Sequence, residues 1–380
     1  MDWANVGVNM ASGRLEIDLL ALRKNYHLIA NRVAPAAAGA VVKADAYGLG
    51  ADQIAPTLLE AGCRHFFVAH LAEALSLQRL LPQDVPLFIL NGVSRDSVAV
   101  CAEAGLIPVL NCLEQAEHWV NAARLTGRYL PAALQVDSGM SRLGLHLDEA
   151  ARLAEDPVFR AHVDLRLLMS HLACADTPLH DANEQQLALF EQAAARFPGI
   201  PRSLSNSGGA FLSERYHGEL ARAGIALYGG APNDDAGHLI SPVISLDARV
   251  IQVRSIPAGT GVGYGLSFNA GRDSRIATIG VGYADGLPRT LGNCGAAWFN
   301  GQRLPIAGRV SMDSITLDVT DLPEGQLQPG DWVELIGPHQ SLDDLARDAG
   351  TISYEILTSL GRRYHRSYTA SQPIRRTVSE

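Results

Sequence analysis

Along the first two-thirds of the chain, short apolar runs recur at AVVKAD (40–45), HFFVAH (65–70), PLFILNG (86–92), IPVLN (107–111), AALQVDS (132–138), LRLLMSH (165–171), RSLSNS (202–207) and ARAGIALYG (221–229). Runs of this length, ended by Gly, Asn, Asp or Ser, read as buried strands and their exit loops. Between them lie Ala-, Leu-, Glu- and Arg-rich stretches such as LAEALSLQRLL and EQQLALFEQAAARF, which read as helices. Strand and helix units of similar length, repeated in this way, predict an α/β protein with a closed (β/α)8 barrel of the TIM type. An open doubly wound sheet is the competing arrangement, but no GxGxxG follows the first strand. Upstream, RLEIDLLALRKNYHLIANRV places a strand-like LEI before a helical pattern, and residues 1–13 read as a loose leader. The barrel is therefore expected over 14–242.

After Pro242 the texture changes. VISLDARVIQVRSI, SRIATIGVGYADG, AAWFNGQRLPIAGRVSMDSITLDV and DWVELIG alternate apolar and polar residues and are broken by Gly, Pro and Asp. That pattern predicts a second, mainly antiparallel β domain over 243–380. Two helices are expected near its end, SLDDLARDAG and TISYEILTSLGRRY, the second capped by Thr351 or Ser353 near Glu355.

Composition narrows the partners. At 380 residues the chain is long enough for two domains, and 47% hydrophobic with 19% charged residues describes a soluble globular protein. A formal charge of −9 argues against nucleic acid or an anionic membrane as the main partner. No apolar run is long enough to span a bilayer. Five cysteines (Cys63, Cys101, Cys112, Cys174, Cys294) are dispersed without a CxxC pair, which suggests reduced thiols and no metal site. The opening MDWANVGVNMASG lacks the basic flank and apolar core of a secretory signal, so the cytoplasm is the expected compartment.

A parallel barrel gathers its chemistry at the carboxyl ends of its strands. There the sequence puts Lys43 after the first strand, with its stem in apolar surroundings. An amine so placed loses hydration, its pKa falls, and it becomes a nucleophile towards carbonyls. Asp137 to Arg142 follow the fifth strand, His171 the sixth and Asn206-Ser207-Gly208-Gly209 the seventh, while Arg222 belongs to the eighth. Ser207, its Gly-rich neighbours and the amides of Gly224 and Ile225 offer donors to a phosphate, in the loops where barrels commonly bind one. Read singly, each has a plain structural account. Lys43 snorkels to the surface, SNSGG is a Ser-capped turn, His171 is a satisfied interior histidine, and Arg142 and Arg222 are ion-pair partners. Their shared place at one mouth favours chemistry: a lysine, a phosphate site and an arginine pair suggest a Schiff-base enzyme that uses pyridoxal phosphate.

AVVKADAYGLG, DSGMSRLG, SHLACAD, SNSGG, ARAGIALYGG, GVGYGLSF, VGYADGLPR and GRVSMDS follow one another in the order of the signature segments of the alanine racemase family, which this chain resembles from about residue 14 to 366. The resemblance implies the interconversion of L- and D-alanine with pyridoxal phosphate, for cell-wall supply or for catabolism. It implies that Lys43 carries the cofactor and serves as one base. Tyr47 and Ser207, with the Gly224 and Ile225 amides and neighbouring Asn206, hold the phosphate side. Arg222 faces the pyridine nitrogen, and Arg142 lies near the cofactor phenolate and the substrate carboxylate. Tyr264, in GVGYG, is the second base, with His171 between it and Arg222, and Met312, in SMDS, lines the carboxylate pocket. Tyr264 and Met312 come from the other subunit, which implies a homodimer with two shared sites. By composition alone, a tyrosine among glycines is an ordinary strand-turn aromatic.

The implied roles are physically coherent. Racemisation takes a proton from one face of the α-carbon and returns one to the other, so bases must stand on both sides. A guanidinium cannot accept a proton, so Arg222 would leave the pyridine nitrogen unprotonated and the ring a weaker electron sink. Two positions depart from the family pattern. Gln135 stands where many members have a lysine that props the arginine; an amide can accept a hydrogen bond from Arg142 but brings no charge. A phosphate-contacting tyrosine found in some members within the last helix is replaced by Arg362, by Tyr364 or by neither in the corresponding stretch SLGRRYHR. The alternatives are a racemase of other or many amino acids, a D-amino-acid aldolase or decarboxylase on the same barrel, and a barrel that binds the cofactor without turnover.

Overall fold

The computed structural model describes residues 10–370 and opens on strand β1 (Gly13–Asp18), in which Leu15 and Ile17 point inward and Arg14 is exposed. Eight parallel strands follow: β2 (Ala37–Val41), β3 (Phe66–Val68), β4 (Leu87–Ile89), β5 (Ile107–Leu110), β6 (Leu130–Gln135), β7 (Val163–Met169), β8 (Arg202–Ser203) and β9 (Leu220–Ala223). They hydrogen-bond in the order β8-β7-β6-β5-β4-β3-β2-β9. The two ends of that row meet, because Glu219 N donates to the Arg202 carbonyl at 2.8 Å and Arg222 N to the Ser205 carbonyl at 2.9 Å. Each of the eight apolar runs read from the sequence contains or overlaps one of these strands. The result is an eight-stranded barrel with helices between its strands, as expected.

Its interior is closely filled. Phe66, Phe67, Ile89, Val109, Ala132, Leu134 and Leu168 have no exposed surface. The rings of Phe67 and Phe88 stack with centroids 4.7 Å apart, and Gly39 gives way to the first of them, since a Cβ there would sit 2.9 Å from Phe67 Cε2. Burying such rings supplies the largest stabilising increments available to a core, about 1.5–3 kcal/mol per fully buried side chain.

Contacts divide the chain into two compact units, one holding Leu22–Leu227 and Ala231–Ile240, the other the remaining described residues. The second unit is built on the long strand β10 (Ile244–Ile256), followed by β11 (Gly261–Val262), β12 (Phe268–Asn269), β13 (Ser274–Ile279), β14 (Ala296–Phe299), β15 (Gln302–Pro305), β16 (Ile315–Asp318), β17 (Trp332–Ile336) and β18 (His365–Thr369). The first half of β10 pairs antiparallel with β1 and β17 and its second half with β13, across a register shift between Val250 and Gln252. β14 and β15 form a hairpin whose turn, Asn300-Gly301, has both φ angles positive (50° and 79°), as a two-residue hairpin turn needs.

Three sequence expectations change here. Residues 14–18, assigned to the barrel domain, form β1 in the sheet of the second unit, pairing with β10. Their alternation of buried and exposed residues is that of a half-covered sheet, whereas barrel strands are buried on both faces. The second helix near the end spans only Ser353–Ser359, and His365–Thr369 instead adds a strand parallel to β1. Its residues are all partly exposed, so no apolar rhythm announced it. That helix starts after Ile352, and Thr351 spends its hydroxyl on the Glu355 carboxylate. The leader reading for residues 1–9 and the last ten residues of the second domain lie outside the described residues. Among the described residues no helix is long and apolar enough to cross a membrane, and no cluster of three or more His, Cys, Asp or Glu could hold a metal ion.

Candidate active site

The exit of β2 makes a rare turn. Ala44, Asp45, Ala46 and Tyr47 all adopt left-handed helical φ angles, between 53° and 57°. Each such residue costs roughly 1–2 kcal/mol, so the turn must be held from outside. Gly48 N donates to the Ala44 carbonyl at 2.7 Å, Gly50 N to the Asp45 carbonyl at 2.9 Å, and Ala51 N to Asp45 Oδ1 at 2.8 Å. The opening amide, Ala44 N, donates to Glu73 Oε1 at 2.6 Å. This turn fixes Lys43 just past the strand end and buries Tyr47 four residues on. Lys43 has no hydrogen bond or ion pair among the described residues. Burial lowers its pKa first, then the Arg142 and Arg222 charges, with Glu73 opposing.

Arg222, on β9, is 3% exposed and has no carboxylate partner among the described residues. Nη1 donates to the carbonyl and hydroxyl of Ser203, at 2.7 and 2.5 Å. Nη2 donates to the Ser170 carbonyl at 2.5 Å and to His171 Nδ1 at 3.2 Å. Four of the five guanidinium N–H groups are thereby used on neutral acceptors, and Nε has no partner among the described residues. Because arginine only donates, His171 Nδ1 accepts, and the imidazole proton sits on Nε2. Burial and the charges of Arg222, Arg142 and Lys43 hold His171 well below its ordinary pKa, so it is neutral at pH 7. Asn206 Nδ2 lies 3.5 Å from His171 Nε2 and donates to the Leu172 carbonyl at 3.2 Å, while its Oδ1 accepts from Gly209 N at 2.9 Å.

Ser207 Oγ accepts from Gly224 N at 2.8 Å and from Ala226 N at 3.3 Å. Tyr47 closes over the same spot, and a Cβ on Gly224 would lie 2.3 Å from its Oη. Only glycine leaves room there, so Tyr47, Ser207 and Gly224 meet at one spot. Ala226 joins them unforeseen. After β6, Asp137 Oδ1 accepts from the amides of Gly139, Met140 and Ser141, and the loop returns where Leu145 N donates to the Gln135 carbonyl. Arg142 is exposed on that loop without an ion pair or hydrogen bond among the described residues. Gln135 does not accept from it; its Nε2 donates to the Leu143 carbonyl at 3.1 Å, holding the loop instead of the arginine.

Tyr264 and Met312 belong to the second unit. Tyr264 stands between Gly263 and Gly265, both of positive φ, in the loop joining β11 and β12, and is 69% exposed. Met312 is 53% exposed, and its carbonyl accepts from Ala284 N at 3.0 Å. Tyr364, considered for a phosphate contact, is 3% exposed and covers Gly13, and Arg362 is exposed.

Comparison with known proteins settles the family. Residues 17–232 match the model of the alanine racemase N-terminal domain, and 243–368 that of the alanine racemase C-terminal domain. The chain belongs to the alanine racemase family. It is 55% identical over 358 residues to a catabolic alanine racemase of Agrobacterium fabrum, covering 94% of this chain and 92% of that one. It is 55% identical over 371 residues to an alanine racemase of Brucella canis, covering 94% of each. Among solved structures it is similar to the alanine racemase of Bartonella henselae with covalently bound pyridoxal phosphate. That likeness has a TM-score of 0.91 at 46% identity, covering 94% of this chain and all of that one. As a member of the alanine racemase family, the chain shows two features at its barrel mouth that its sequence did not announce. One is the serine cage of Arg222, made by Ser203 and Ser170; the other is Glu73, which binds backbone across two strand ends. Neither could be found by motif, because each depends on groups that only the closed sheet brings together: the Ser203 hydroxyl and the Ser203 and Ser170 carbonyls around Arg222, and the Ala44, Ala69 and His70 amides around the Glu73 carboxylate.

Proposed function

We propose that this chain interconverts L- and D-alanine with pyridoxal phosphate, as a cytoplasmic homodimer whose active sites draw on both chains. One observation carries the proposal: Lys43, a desolvated amine, shares a barrel mouth and an electrostatic neighbourhood with His171 and with Arg222, whose Nε has no partner among the described residues.

The residues fit the cofactor. Tyr47 and Ser207, set against the Cβ-free backbone of Gly224, make a neutral cradle that a Cβ would fill, as suits a phosphate. Lys43 would bind the aldehyde carbon, Arg222 Nε would donate to the ring nitrogen, Arg142 would serve the phenolate and the substrate carboxylate, and Asn206 and the Ile225 amide would complete the cradle. When bound, the coenzyme supplies the electron sink that makes the α-proton of alanine acidic.

The chain's own residues then divide the work. Lys43 Nζ, its proton affinity lowered by burial and by two arginines, takes or returns the α-proton on one face. The partner's Tyr264 does so on the other, and the partner's Met312 borders the substrate carboxylate. His171, protonated at Nε2 because Arg222 occupies Nδ1, is equipped to donate to the tyrosine oxygen. Arg222, held through both Nη atoms, would keep the ring nitrogen of the bound coenzyme from gaining a proton, which favours simple reprotonation over side transamination.

Purified protein loaded with pyridoxal phosphate should turn L-alanine into D-alanine and show a visible band that borohydride abolishes. Comparable turnover across a panel of L-amino acids would move the assignment to a broad racemase. Colour without turnover would make it a cofactor-binding barrel, and a colourless, inert protein would refute the proposal.

A further inference from the structure

The turn after Lys43 is left-handed over four residues, and helical hydrogen bonds within it do not reach its first amide. That amide, Ala44 N, donates to Glu73 Oε1 at 2.6 Å. Glu73 Oε2 accepts from Ala69 N at 2.7 Å and His70 N at 2.9 Å, at the end of β3. The β3 exit is itself rigid, because Leu90 N and Asn91 N donate to the carbonyls of Val68 and Ala69 at 2.8 and 3.1 Å. One carboxylate therefore ties the strained turn to the neighbouring strand end through three charge-assisted hydrogen bonds, the stronger kind.

We propose that Glu73 is a positioning residue for Lys43: its carboxylate, bonded to the amide that opens the left-handed turn and to two amides at the end of β3, holds the lysine stem at the barrel mouth. The inference rests on the proposed function of Lys43 and assigns that site a support outside the motif segments. The bond to His70 N also belongs to the capping of helix Leu71–Gln78, so capping alone is the competing account. The geometry distinguishes the two, since Ala44 lies 29 positions away from Glu73 and gains nothing from a helix cap.

The test compares wild-type protein loaded with pyridoxal phosphate with Glu73→Ala and Glu73→Gln. Amide hydrogen exchange in the peptide covering Ala44–Gly50 should accelerate at least about tenfold in Glu73→Ala, and less in Glu73→Gln, which keeps one carbonyl acceptor, while β5–β7 peptides stay unchanged. For alanine racemisation, kcat should fall about tenfold or more, with KM moving less than about threefold, as expected when a reacting group is misplaced and substrate binding is not. Faster exchange confined to 70–78 would make Glu73 a helix cap and overturn the proposal, as would equal acceleration throughout the barrel. If Glu73→Ala does not fold, Glu73→Gln decides by the same pattern. If wild-type protein racemises nothing, the functional reading falls, while the exchange measurement still decides whether Glu73 holds the turn.

Discussion

Lys43 shows what burial does to a single group. Its folded pKa is depressed, chiefly by burial and then by Arg142, so the unfolded chain binds the ammonium proton more tightly. The sign follows: the lysine favours folding above its ordinary value of 10.5, and that contribution is lost as pH falls through the lower folded value. Lys43→Met removes the titration and keeps the stem. Without cofactor, its thermal midpoint relative to wild type should therefore rise as pH drops from about 10.5 to 7. A pH-independent difference in melting scans would contradict a depressed lysine. At this scale the sequence was legible where a side chain does its own work at a strand end: Lys43, His171, Ser207 and Arg222 were all readable from position. Glu73 and Ser203 were not, because they accept from or orient groups brought near only by the closed sheet. Gln135 was misread for the same reason: its amide meets the Leu143 carbonyl, a contact set by how the loop folds back.

Among the elements, the left-handed turn is where local preference and fold conflict most. Ala44 is exposed there at φ 53° and ψ 49°, so a substitution changes backbone preference with little packing. Glycine has no left-handed penalty, which relieves roughly 1–2 kcal/mol, and loses about 0.5–1 kcal/mol through extra freedom in the unfolded chain. Relief wins, so Ala44→Gly should stabilise the protein by up to about 1.5 kcal/mol in denaturant titration. Ala44→Val, β-branched at positive φ, should destabilise it by at least about 1 kcal/mol. If valine were tolerated as well as glycine, the turn would not be strained in solution. A small-residue turn after Lys43 is legible in KADAYG, but its left-handed form is not, since three of its four left-handed residues, Ala44, Ala46 and Tyr47, are types that seldom adopt that conformation. Barrel strands were easier, because burial on both faces writes itself as an apolar run. β1 and β18 were harder: one carries a half-buried alternation ahead of the barrel, the other no rhythm at all.

For the molecule as a whole, the βα alternation and the shift to antiparallel texture after Pro242 disclosed both architectures, and what they left open is which chains combine to make a site. Lys43 lies in the barrel unit, whereas Tyr264 and Met312 lie in the other unit and stay largely exposed on a single chain. The two-base reaction proposed above would need Lys43 and Tyr264 at one α-carbon, and a symmetric dimer that exchanges these surfaces would build two such sites. The consequence can be tested by mixing two crippled parents, Lys43→Ala and Tyr264→Phe. With shared sites, a mixed dimer has one doubly defective site and one intact site. Random reassociation makes half the dimers mixed, so equal amounts should recover about a quarter of wild-type racemisation, far above either parent. If each chain supplies both of its own bases, every site in every dimer keeps one lesion, and mixing recovers nothing. Activity measured after co-refolding, with the mixed species separated by a tag on one parent, distinguishes the two assemblies without reference to any other feature of the site.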